Sequence, residues 1–495
     1  MMRGHGRTEA TVTLEPAVLA LDLGTGEAKA GLIAADGRLA GFGRADYPVD
    51  VDAETGRAEQ DPDAWWRAIC AAAIDAFRGP SGEFEVVAIC AVGQGPTLVA
   101  ADATGRPTRP AIGWLDSRSR SEAAELESVL GLRGWALGIL PKALWLERHE
   151  PRAAGDASWY LSAWEWLGLR LSGAARATVA VGQQPPDRQA LASVGLAADR
   201  LPPEIRAGVV LGELRPEAAA DLGLPRDLPV VAGLADALSS FLGAGLIDPG
   251  DAIDTGGTSG GFAVYWSGEV ALPAEWRSFV PLEGRFALGG AMSATGRSLE
   301  WLRDDLLRGH VGTEALIDEA AATSPGAGGL IFLPYLAGER APIWDSSARG
   351  TLAGLSLAHS RGHLVRAVLE ASAFAIRHVA EPILAAGVSV TEMRICGGPG
   401  RSATWNQIKA DVTGFRVAVP AVRETAVVGA AILAAVGIGL KPDLPSAMRT
   451  MVRIESRLDP RPATRETYDP LFAAYKALYS DLRPTFARLA ELAHH

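Results

Sequence analysis

The stretch "ALDLGTGEAKAGLIAADGRL" (residues 20–39) predicts the central strands of the fold. The apolar run over 17–24 predicts a buried strand that is closed by a glycine-rich turn. A second apolar run over 28–35 predicts a strand that returns at once, and the Asp-Gly pair at 36–37 predicts a hairpin turn into a third strand. Tight glycine turns direct backbone N–H groups at anions, although this turn also contains the acid Glu27.

A second stretch, "AIDTGGTSGGFAVYW" (252–266), repeats this design. It too has an apolar strand, an Asp, a turn rich in Gly and Thr, and a strand that returns directly. The "DPGD" turn at 248–251 predicts a domain boundary. Because the repeat spacing is far too long for a solenoid, we expect two related halves. The predicted division is a loose tail over 1–15, an N-terminal domain over 16–247 and a C-terminal domain over 248–495.

The composition is that of a globular protein, with 48% hydrophobic and 21% charged residues among 495. The net charge of −11 argues against a nucleic-acid partner, because phosphate backbones demand a basic surface. No apolar run approaches the roughly 20 residues that span a bilayer, and the N-terminus lacks the apolar segment of a signal peptide. The three cysteines lie far apart in sequence. We therefore expect a cytoplasmic protein with reduced thiols and no membrane partner.

The rest of the chain alternates predicted strands and helices, which is typical of an α/β fold. A helix is predicted over 61–77, where Asp precedes Pro at the first turn, and a buried strand over 86–95. A strand, a turn and a helix are predicted over 229–246. The stretch 393–414 predicts a strand, a third glycine-rich turn and an amphipathic helix, and 424–439 predicts a buried helix of small apolar residues.

The three glycine-rich turns together favour a nucleotide ligand, although each alone is more typical of a plain β-turn. No GxxxxGK[ST] motif is present, so the chain is not a P-loop protein. "GTSGG" (257–261) fits the GxSxG pattern with Ser259 as a nucleophile, but that pattern needs a helix after the turn and a strand is predicted here. "GPGRSA" (398–403) fits a dinucleotide-binding turn, but no βαβ unit with a placed acid follows it.

Two aspartates follow apolar strands at positions that commonly face a cleft in α/β folds. Asp236 precedes a predicted helix and is interpreted equally well as a general base or as a helix N-cap. Asp116 is a candidate to hold polyol hydroxyls, with Trp114 as an apolar wall. The alternative for Asp116 is a turn in which it pairs with Arg118. The sequence leaves both alternatives open.

Several segments of the chain, in the order in which they occur, resemble those of the FGGY carbohydrate kinases, members of the actin-like, Hsp70-like ATPase superfamily. The similar segments are "DLGTGEAKAGL", "AEQDPDAWW", "GRPTRPAIGWLDSRS", "GLAD", "DTGGTSG", "GERAPIWDSSARGTLAGLSLAHSRGHLVRAVLEASAF", and the pair "CGGPGRSATWNQIKADVTG" and "ETAVVGAAILA". Seven segments in the family's order make the resemblance highly specific. The sixth, over 338–374, is interpreted as architecture from its apolar helix pattern and is assigned no chemistry.

The resemblance implies an α/β fold of two ribonuclease-H-like, actin-like ATPase domains, with a nucleotide and sugar cleft between them. It implies transfer of the γ-phosphoryl group of Mg-ATP to a hydroxyl of a small sugar. Carried over to this sequence, Asp236 is the catalytic base and Asp22 organises Mg²⁺ through water. The implied ATP contacts are Gly24, Thr25, Gly26, Lys29, Gly257, Thr258, Gly397, Gly398 and Asn406, and the implied sugar contacts are Gln94, Gly95, Trp114, Asp116 and Asp236. A homodimer is a family expectation only.

The sugar side departs from two patterns of the family. Gly95 and Pro96 follow "AVGQ". The corresponding segment is similar to "NQRE" in glycerol kinases and to "GQMH" in xylulokinases. Ala237 stands where both kinds of kinase usually have an amide side chain. These changes disfavour glycerol, whereas the W-x-D-x-R pattern of 114–118 favours a ketopentose such as xylulose, or a related ketose or alditol. The alternatives are a kinase of a non-sugar polyol signal molecule and a non-catalytic nucleotide- or sugar-binding regulator. Glu27 is expected to turn its carboxylate away from the phosphates and toward a basic surface residue. The alternative is that it reaches a water bound to Mg²⁺.

Overall fold

The computed structural model describes residues 14–52, 54–78, 83–179, 185–257, 259–273, 276–279 and 285–492. The predicted N-terminal tail therefore lies outside the described residues up to position 13, and Glu15 already begins the first strand. Thr258, a predicted phosphate contact, also lies outside them. No helix within the described ranges is long and apolar enough to cross a membrane.

Strands and helices alternate along the chain. The strands are β1 Glu15–Leu23, β2 Glu27–Ala34, β3 Leu39–Asp46, β4 Asp50–Asp52, β5 Arg57–Gln60, β6 Phe84–Gly93, β7 Leu98–Ala101, β8 Ala111–Ile112, β9 Trp159–Ser162, β10 Ala177–Val179, β11 Glu204–Arg206, β12 Val210–Glu213, β13 Pro229–Val231, β14 Asp251–Asp254, β15 Gly261–Trp266, β16 Arg277–Phe279, β17 Phe286–Ala291, β18 Ile331–Leu333, β19 Thr351–Ala353, β20 Glu392–Ile395, β21 Val417–Pro420 and β22 Ile454–Leu458. The helices are α1 Pro62–Phe77, α2 Arg120–Leu130, α3 Leu140–His149, α4 Pro151–Asp156, α5 Ala163–Ser172, α6 Arg188–Ser193, α7 Pro216–Leu222, α8 Asp236–Gly243, α9 Thr295–Trp301, α10 Thr313–Ala321, α11 Arg361–Ala385, α12 Ala403–Thr413, α13 Thr425–Gly437, α14 Leu444–Met451 and α15 Arg465–Leu492.

Two sheets share the same central arrangement. In the first, of order β12-β13-β6-β1-β2-β3, β1 is antiparallel to β2 and parallel to β6. In the second, of order β16-β17-β15-β14-β20-β21-β22, β14 is antiparallel to β15 and parallel to β20. Strands β1 and β14 hold equivalent positions, and each leads through an aspartate into a glycine-rich turn. The predicted α/β fold with a repeated core is confirmed.

Helix α13 joins the two halves of the chain. It is built from small apolar residues and packs on α8 and on strands β1 and β6 of the first sheet. The backbones of α8 and α13 touch: a Cβ added at Gly429 would lie 1.9 Å from the Ser239 carbonyl oxygen, and one at Gly243 would lie 1.8 Å from that of Thr425. The Ser239 hydroxyl also donates to the Ala426 carbonyl at 2.8 Å. This contact fixes the start of α13 relative to α8.

Replacing Gly429 by Ala tests this contact. The added methyl has no space beside the Ser239 carbonyl, so the two helices must separate, and we expect a loss of about 1–3 kcal/mol in unfolding free energy. The measurement is the urea midpoint of the full chain followed by circular dichroism. Gly155→Ala in α4 is the control, because a Cβ there meets nothing within 4 Å. Equal midpoints for the two variants would show that the helices do not pack this closely.

Candidate active site

Three polar side chains follow the carboxyl ends of adjacent parallel strands in the first sheet, where open α/β sheets bind ligands. Asp22 lies at the end of β1, Gln94 follows β6, and Asp236 begins α8 after β13. An isolated bridge between Gly93 and Ala235 continues the pairing beyond the two strands and brings Asp236 beside the end of β6. The sheet therefore collects at one edge three residues that were predicted separately.

Loop 1 (residues 24–26), between β1 and β2, is held by hydrogen bonds to its carbonyl oxygens. Gln60 Nε2 donates to the Thr25 carbonyl at 2.5 Å, and the Tyr47 N–H donates to the Gly26 carbonyl at 3.1 Å. The Tyr47 hydroxyl donates to the Gly24 carbonyl. Three successive carbonyl dipoles are thus satisfied by the protein, which is the arrangement needed if the loop is to present its positive side to an anion.

Asp22 and Asp236 are two carboxylates whose charged forms are disfavoured by burial. Burial raises the pKa of Asp22 to about 7, with Lys29 opposing the shift and Asp236 adding to it. Burial also raises the pKa of Asp236, against the hydrogen bond from the Ala237 N–H and the charge of Lys29. Ala235, and not Asp236, is the N-cap of α8, and within the described residues the Asp236 carboxylate accepts only from the next N–H, that of Ala237, at 2.7 Å. The helix-cap interpretation of Asp236 is therefore wrong.

The Asp22 carboxylate is suited to a hydrated divalent cation. Its Oδ1 is buried and has no hydrogen-bond partner within the described part of the chain. Mg²⁺ is commonly held by one or two carboxylates together with substrate phosphates and water. The described residues contain no group of three or more His, Cys, Asp or Glu that could hold a metal ion. An ion at Asp22 would therefore take most of its ligands from phosphate and water.

Lys29 lies next to Asp22 across the β1–β2 pair and connects the two halves of the chain. Its Nζ lies 3.0 Å from Glu424 Oε2, just before α13, and 3.8 Å from Glu27 Oε2. These acids and Asp22 raise the pKa of Lys29 to about 12, against its burial. Glu27 Oε1 accepts from the exposed guanidinium of Arg44 at 3.4 Å, which is the orientation expected for this acid.

Loop 2 (residues 255–257 and 259–260), between β14 and β15, rests on a buried ion pair. Asp254 Oδ1 accepts from the Gly256 N–H at 3.0 Å, and Asp254 Oδ2 pairs with Nζ of Lys409 from α12. Both side chains are 3% exposed. The Lys409 Nζ also lies 5.1 Å from the centre of the Trp405 ring. Sequence reasoning missed Lys409, whose only signal is a lysine on the apolar face of a predicted helix.

Loop 3 (residues 396–402), between β20 and α12, contacts loop 2. A Cβ added at Gly256 would lie 2.2 Å from the Cys396 carbonyl oxygen, and one at Gly397 would lie 3.7 Å from the Gly257 nitrogen. Gly398 begins the short helical turn that follows. Asn406 is buried, donates to the Gly400 carbonyl at 3.1 Å and has an Oδ1 without a partner in the described structure. Gly257, Gly397, Gly398 and Asn406, which were predicted to bind phosphate or adenosine, therefore lie together.

The predicted sugar residues adjoin loop 1. Trp114 Nε1 donates to Thr25 Oγ1 at 2.9 Å. Gln94 is buried and its Nε2 donates at 2.5 Å to Oε1 of Gln60, the residue that holds the Thr25 carbonyl. A Cβ added at Gly95 would lie 2.8 Å from the ring of Trp164, so the indole fills the space that a longer side chain would need. Trp164 was not predicted, because it lies at the start of α5 far along the chain.

Asp116 forms the ion pair that was the structural alternative to a sugar contact. Its Oδ2 accepts from Arg118 at 2.7 Å and from the Ala58 N–H at 2.8 Å, and the side chain is 1% exposed. The same guanidinium bonds Glu59 at 2.5 Å and lies 4.3 Å from the centre of the Trp145 ring. Asp116 therefore holds the Arg118 side chain and the backbone at Ala58 in position. A direct sugar contact by Asp116 stays a prediction.

Models of the FGGY family of carbohydrate kinases match both halves, the N-terminal domain over 17–243 and the C-terminal domain over 255–438. The chain belongs to this family. The predicted family, fold class and enzyme class are confirmed: the chain is an ATP-dependent carbohydrate kinase, a phosphotransferase that acts on a sugar hydroxyl.

Relatives cover nearly the whole chain. It is 28% identical to the xylulose kinase of Bacillus subtilis, over 94% of this chain and 96% of that protein. It is 26% identical to the gluconokinase of Bacillus licheniformis, over 96% and 97%. The crystal structure of xylulose kinase from Rhodospirillum rubrum superposes with a TM-score of 0.80 at 32% identity, over 95% of this chain and 100% of that one.

Replacing Lys409 by Met tests the support of loop 2. The change leaves the Asp254 carboxylate buried without its cation, and we expect it to lower unfolding free energy by about 3–5 kcal/mol. Loop 2 loses its support, so KM for ATP is expected to rise more than KM for the sugar. Lys476→Met, which breaks an exposed pair with Glu381, is the control and is expected to cost less than about 1 kcal/mol. Equal losses in the two variants would contradict this account.

Replacing Lys142 of α3 is expected to raise the unfolding free energy, whereas replacing Lys409 lowers it. Lys142 is buried, no carboxylate oxygen lies within 4.0 Å of its Nζ in the described structure, and burial lowers its pKa to about 8 against the charge of Asp116. The unfolded chain therefore holds this proton more tightly, and stability rises between pH 8 and the ordinary lysine pKa. We expect Lys142→Met to stabilise the fold at pH 7 by up to roughly 3 kcal/mol, measured by urea unfolding. Lys441→Met is the partly exposed control, and destabilisation by Lys142→Met would reveal a favourable partner.

Proposed function

We propose that this kinase phosphorylates a ketopentose, with xylulose as the leading substrate, and that Asp236 is its general base. The similarity to xylulose kinases over almost the full length supports the substrate class. The observation that carries the proposal is the convergence of Asp22 and Asp236 at the carboxyl ends of β1 and β13, the two strands that flank β6, beside loop 1. The Asp22 carboxylate has an oxygen without a partner among the described residues, and the Asp236 carboxylate is half-buried at the start of a helix.

In the proposed reaction, Asp236 accepts the proton of the attacking sugar hydroxyl. A carboxylate whose pKa is raised by burial is a better proton acceptor than an exposed one. Backbone N–H groups of loops 1 and 2, with Thr25 and Thr258, hold the ATP phosphates, while Gly397, Gly398 and Asn406 lie beside the adenosine. Asp22 would hold Mg²⁺ through water, and the bound ion would neutralise charge on the phosphates. Lys29 balances the charge of Asp22 on the phosphate side.

The sugar pocket gains its selectivity from shape and from few polar groups. The Trp164 ring lies against Gly95 and leaves no space for the long polar side chains that are typical of glycerol kinases at this position. This supports a substrate other than glycerol. Within the described structure, Trp164 Nε1 and Gln94 Oε1 are buried without hydrogen-bond partners. Each unsatisfied buried group costs about 1–3 kcal/mol, and a sugar hydroxyl that bonds to it would recover this free energy. We assign these two atoms to the substrate hydroxyls.

Three further properties belong to the same proposal. The domains are divided between 247 and 248, which is supported by family models that end at 243 and begin again at 255. The enzyme acts in the cytoplasm, on a small sugar and without a nucleic-acid partner, as its negative net charge supports. A homodimer is carried over from the family alone.

Asp236→Asn is the decisive variant. The amide cannot accept the hydroxyl proton, so we expect kcat to fall by about 10²–10⁴-fold while KM for ATP changes little. Activity is measured as ADP release with xylulose, ribulose, hexuloses, gluconate and alditols. Asp304→Asn, at an exposed ion pair with Arg303, is the control. If the unaltered enzyme binds ATP in calorimetry but releases ADP with none of these compounds, the result would favour the non-catalytic regulator and overturn the proposal.

A further inference from the structure

Arg340, in the C-terminal half, lies near Trp114, which bonds loop 1. Its guanidinium carbon lies 5.9 Å from the centre of the Trp114 ring, and the Trp114 indole donates to the Thr25 hydroxyl in loop 1. Arg340 stands in the "GERAPIW" segment, to which the sequence assigned no chemistry. Its side chain therefore lies beside the residue that connects the predicted sugar wall to the predicted phosphate contacts.

Arg340 is also fixed to the structure that carries loop 2. Its guanidinium donates to the Met292 carbonyl, and the Met292 N–H donates to the Gly260 carbonyl of loop 2 at 3.3 Å. Glu339 Oε1 accepts from the N–H groups of Ser293 and Arg340 at 2.7 and 2.8 Å. The backbone of Arg340 is thus tied to the end of β17 next to loop 2, and its guanidinium lies near Trp114, which bonds Thr25 of loop 1.

The charge of Arg340 has no close counterion in the part of the chain that the structure describes. Among the described residues, no carboxylate oxygen lies within 4.0 Å of its guanidinium nitrogens, and burial lowers its pKa despite the nearby charge of Glu339. Burial also raises the pKa of Glu339 to about 7, and its Oε1 is occupied by backbone N–H groups. A partly buried cation without a paired anion is costly, and it is most simply retained where a ligand supplies the anion.

We propose that Arg340 contacts the phosphoryl group during its transfer from ATP to the sugar. The bond from the γ-phosphorus to the oxygen that bridges to ADP breaks, the bond from the sugar oxygen to this phosphorus forms, and the hydroxyl proton goes to Asp236. Arg340 forms no covalent bond. Its planar guanidinium donates to the phosphoryl oxygens, where charge must be stabilised in the transition state. The inference rests on the kinase activity and not on the choice of xylulose.

Arg340→Met and Arg340→Lys in the full-length enzyme test this contact. We expect Arg340→Met to lower kcat by at least about 100-fold, in line with arginines that contact transferred phosphoryl groups, and to change both KM values less than threefold. Arg340→Lys is expected to keep part of the activity, because it retains the charge without the bidentate geometry. Arg297→Met is the control, since Arg297 is an exposed partner of Glu300.

Binding of two nucleotide states separates contact from structural support. Calorimetry compares magnesium ADP alone with magnesium ADP plus aluminium fluoride, which imitates the phosphoryl group in transfer. We expect Arg340→Met to weaken only the second complex, by the same factor as kcat. Equal weakening of both complexes, or a kcat within threefold of the unaltered enzyme, would overturn the inference. If the unaltered enzyme phosphorylates no ketopentose, the proposed substrate fails, while the aluminium fluoride comparison without sugar still tests Arg340.

Discussion

The direct contact between α8 and α13 sets the geometry on which the site depends. Helix α8 begins with Asp236, and Glu424, just before α13, pairs with Lys29 of the first sheet. Because Gly243 and Gly429 leave no side chain between the helices, the candidate base and the start of α13 are held by backbone contact. The contact therefore ties Asp236 at the start of α8 to the start of α13, which is bonded in turn to loop 3 through the Gly397 N–H and the Arg423 carbonyl.

The repeated hairpin serves two different electrostatic purposes. In the N-terminal half, Asp22 lies beside Lys29, but Lys29 is shared with Glu424, and one Asp22 oxygen has no partner in the described structure. In the C-terminal half, Asp254 is satisfied by the Gly256 N–H and by Lys409, which is buried with it. The same local design thus leaves one aspartate available to a ligand and uses the other to hold a loop. This difference depends on α12 and α13, which follow much later in the chain.

The sequence predicted what is local, and the structure added what is distant. Both hairpins, the helix over 61–77 and the strand before Asp236 follow from apolar periodicity and turn residues, and they agree with the structure within a few residues. The pairing of Lys409 with Asp254 spans 155 positions, and no periodic pattern could connect the two. Arg340 was missed for another reason. The helical pattern of 338–374 comes mainly from α11, so the loop that precedes α11 and contains Arg340 was interpreted as architecture too.

Asp116 and Gly95 show why the sugar side is harder to predict than the phosphate side. Phosphate binding uses backbone N–H groups, and glycines reveal it directly in the sequence. Sugar binding uses side chains whose availability depends on their other partners. The Asp116 carboxylate is occupied by Arg118 and by the Ala58 N–H. Trp164, which no motif marks, brings to the space beside Gly95 an N–H that has no partner among the described residues. Under the proposed function, selectivity follows from which buried donors and acceptors the packing leaves without partners, which is a property of the fold and not of the motif.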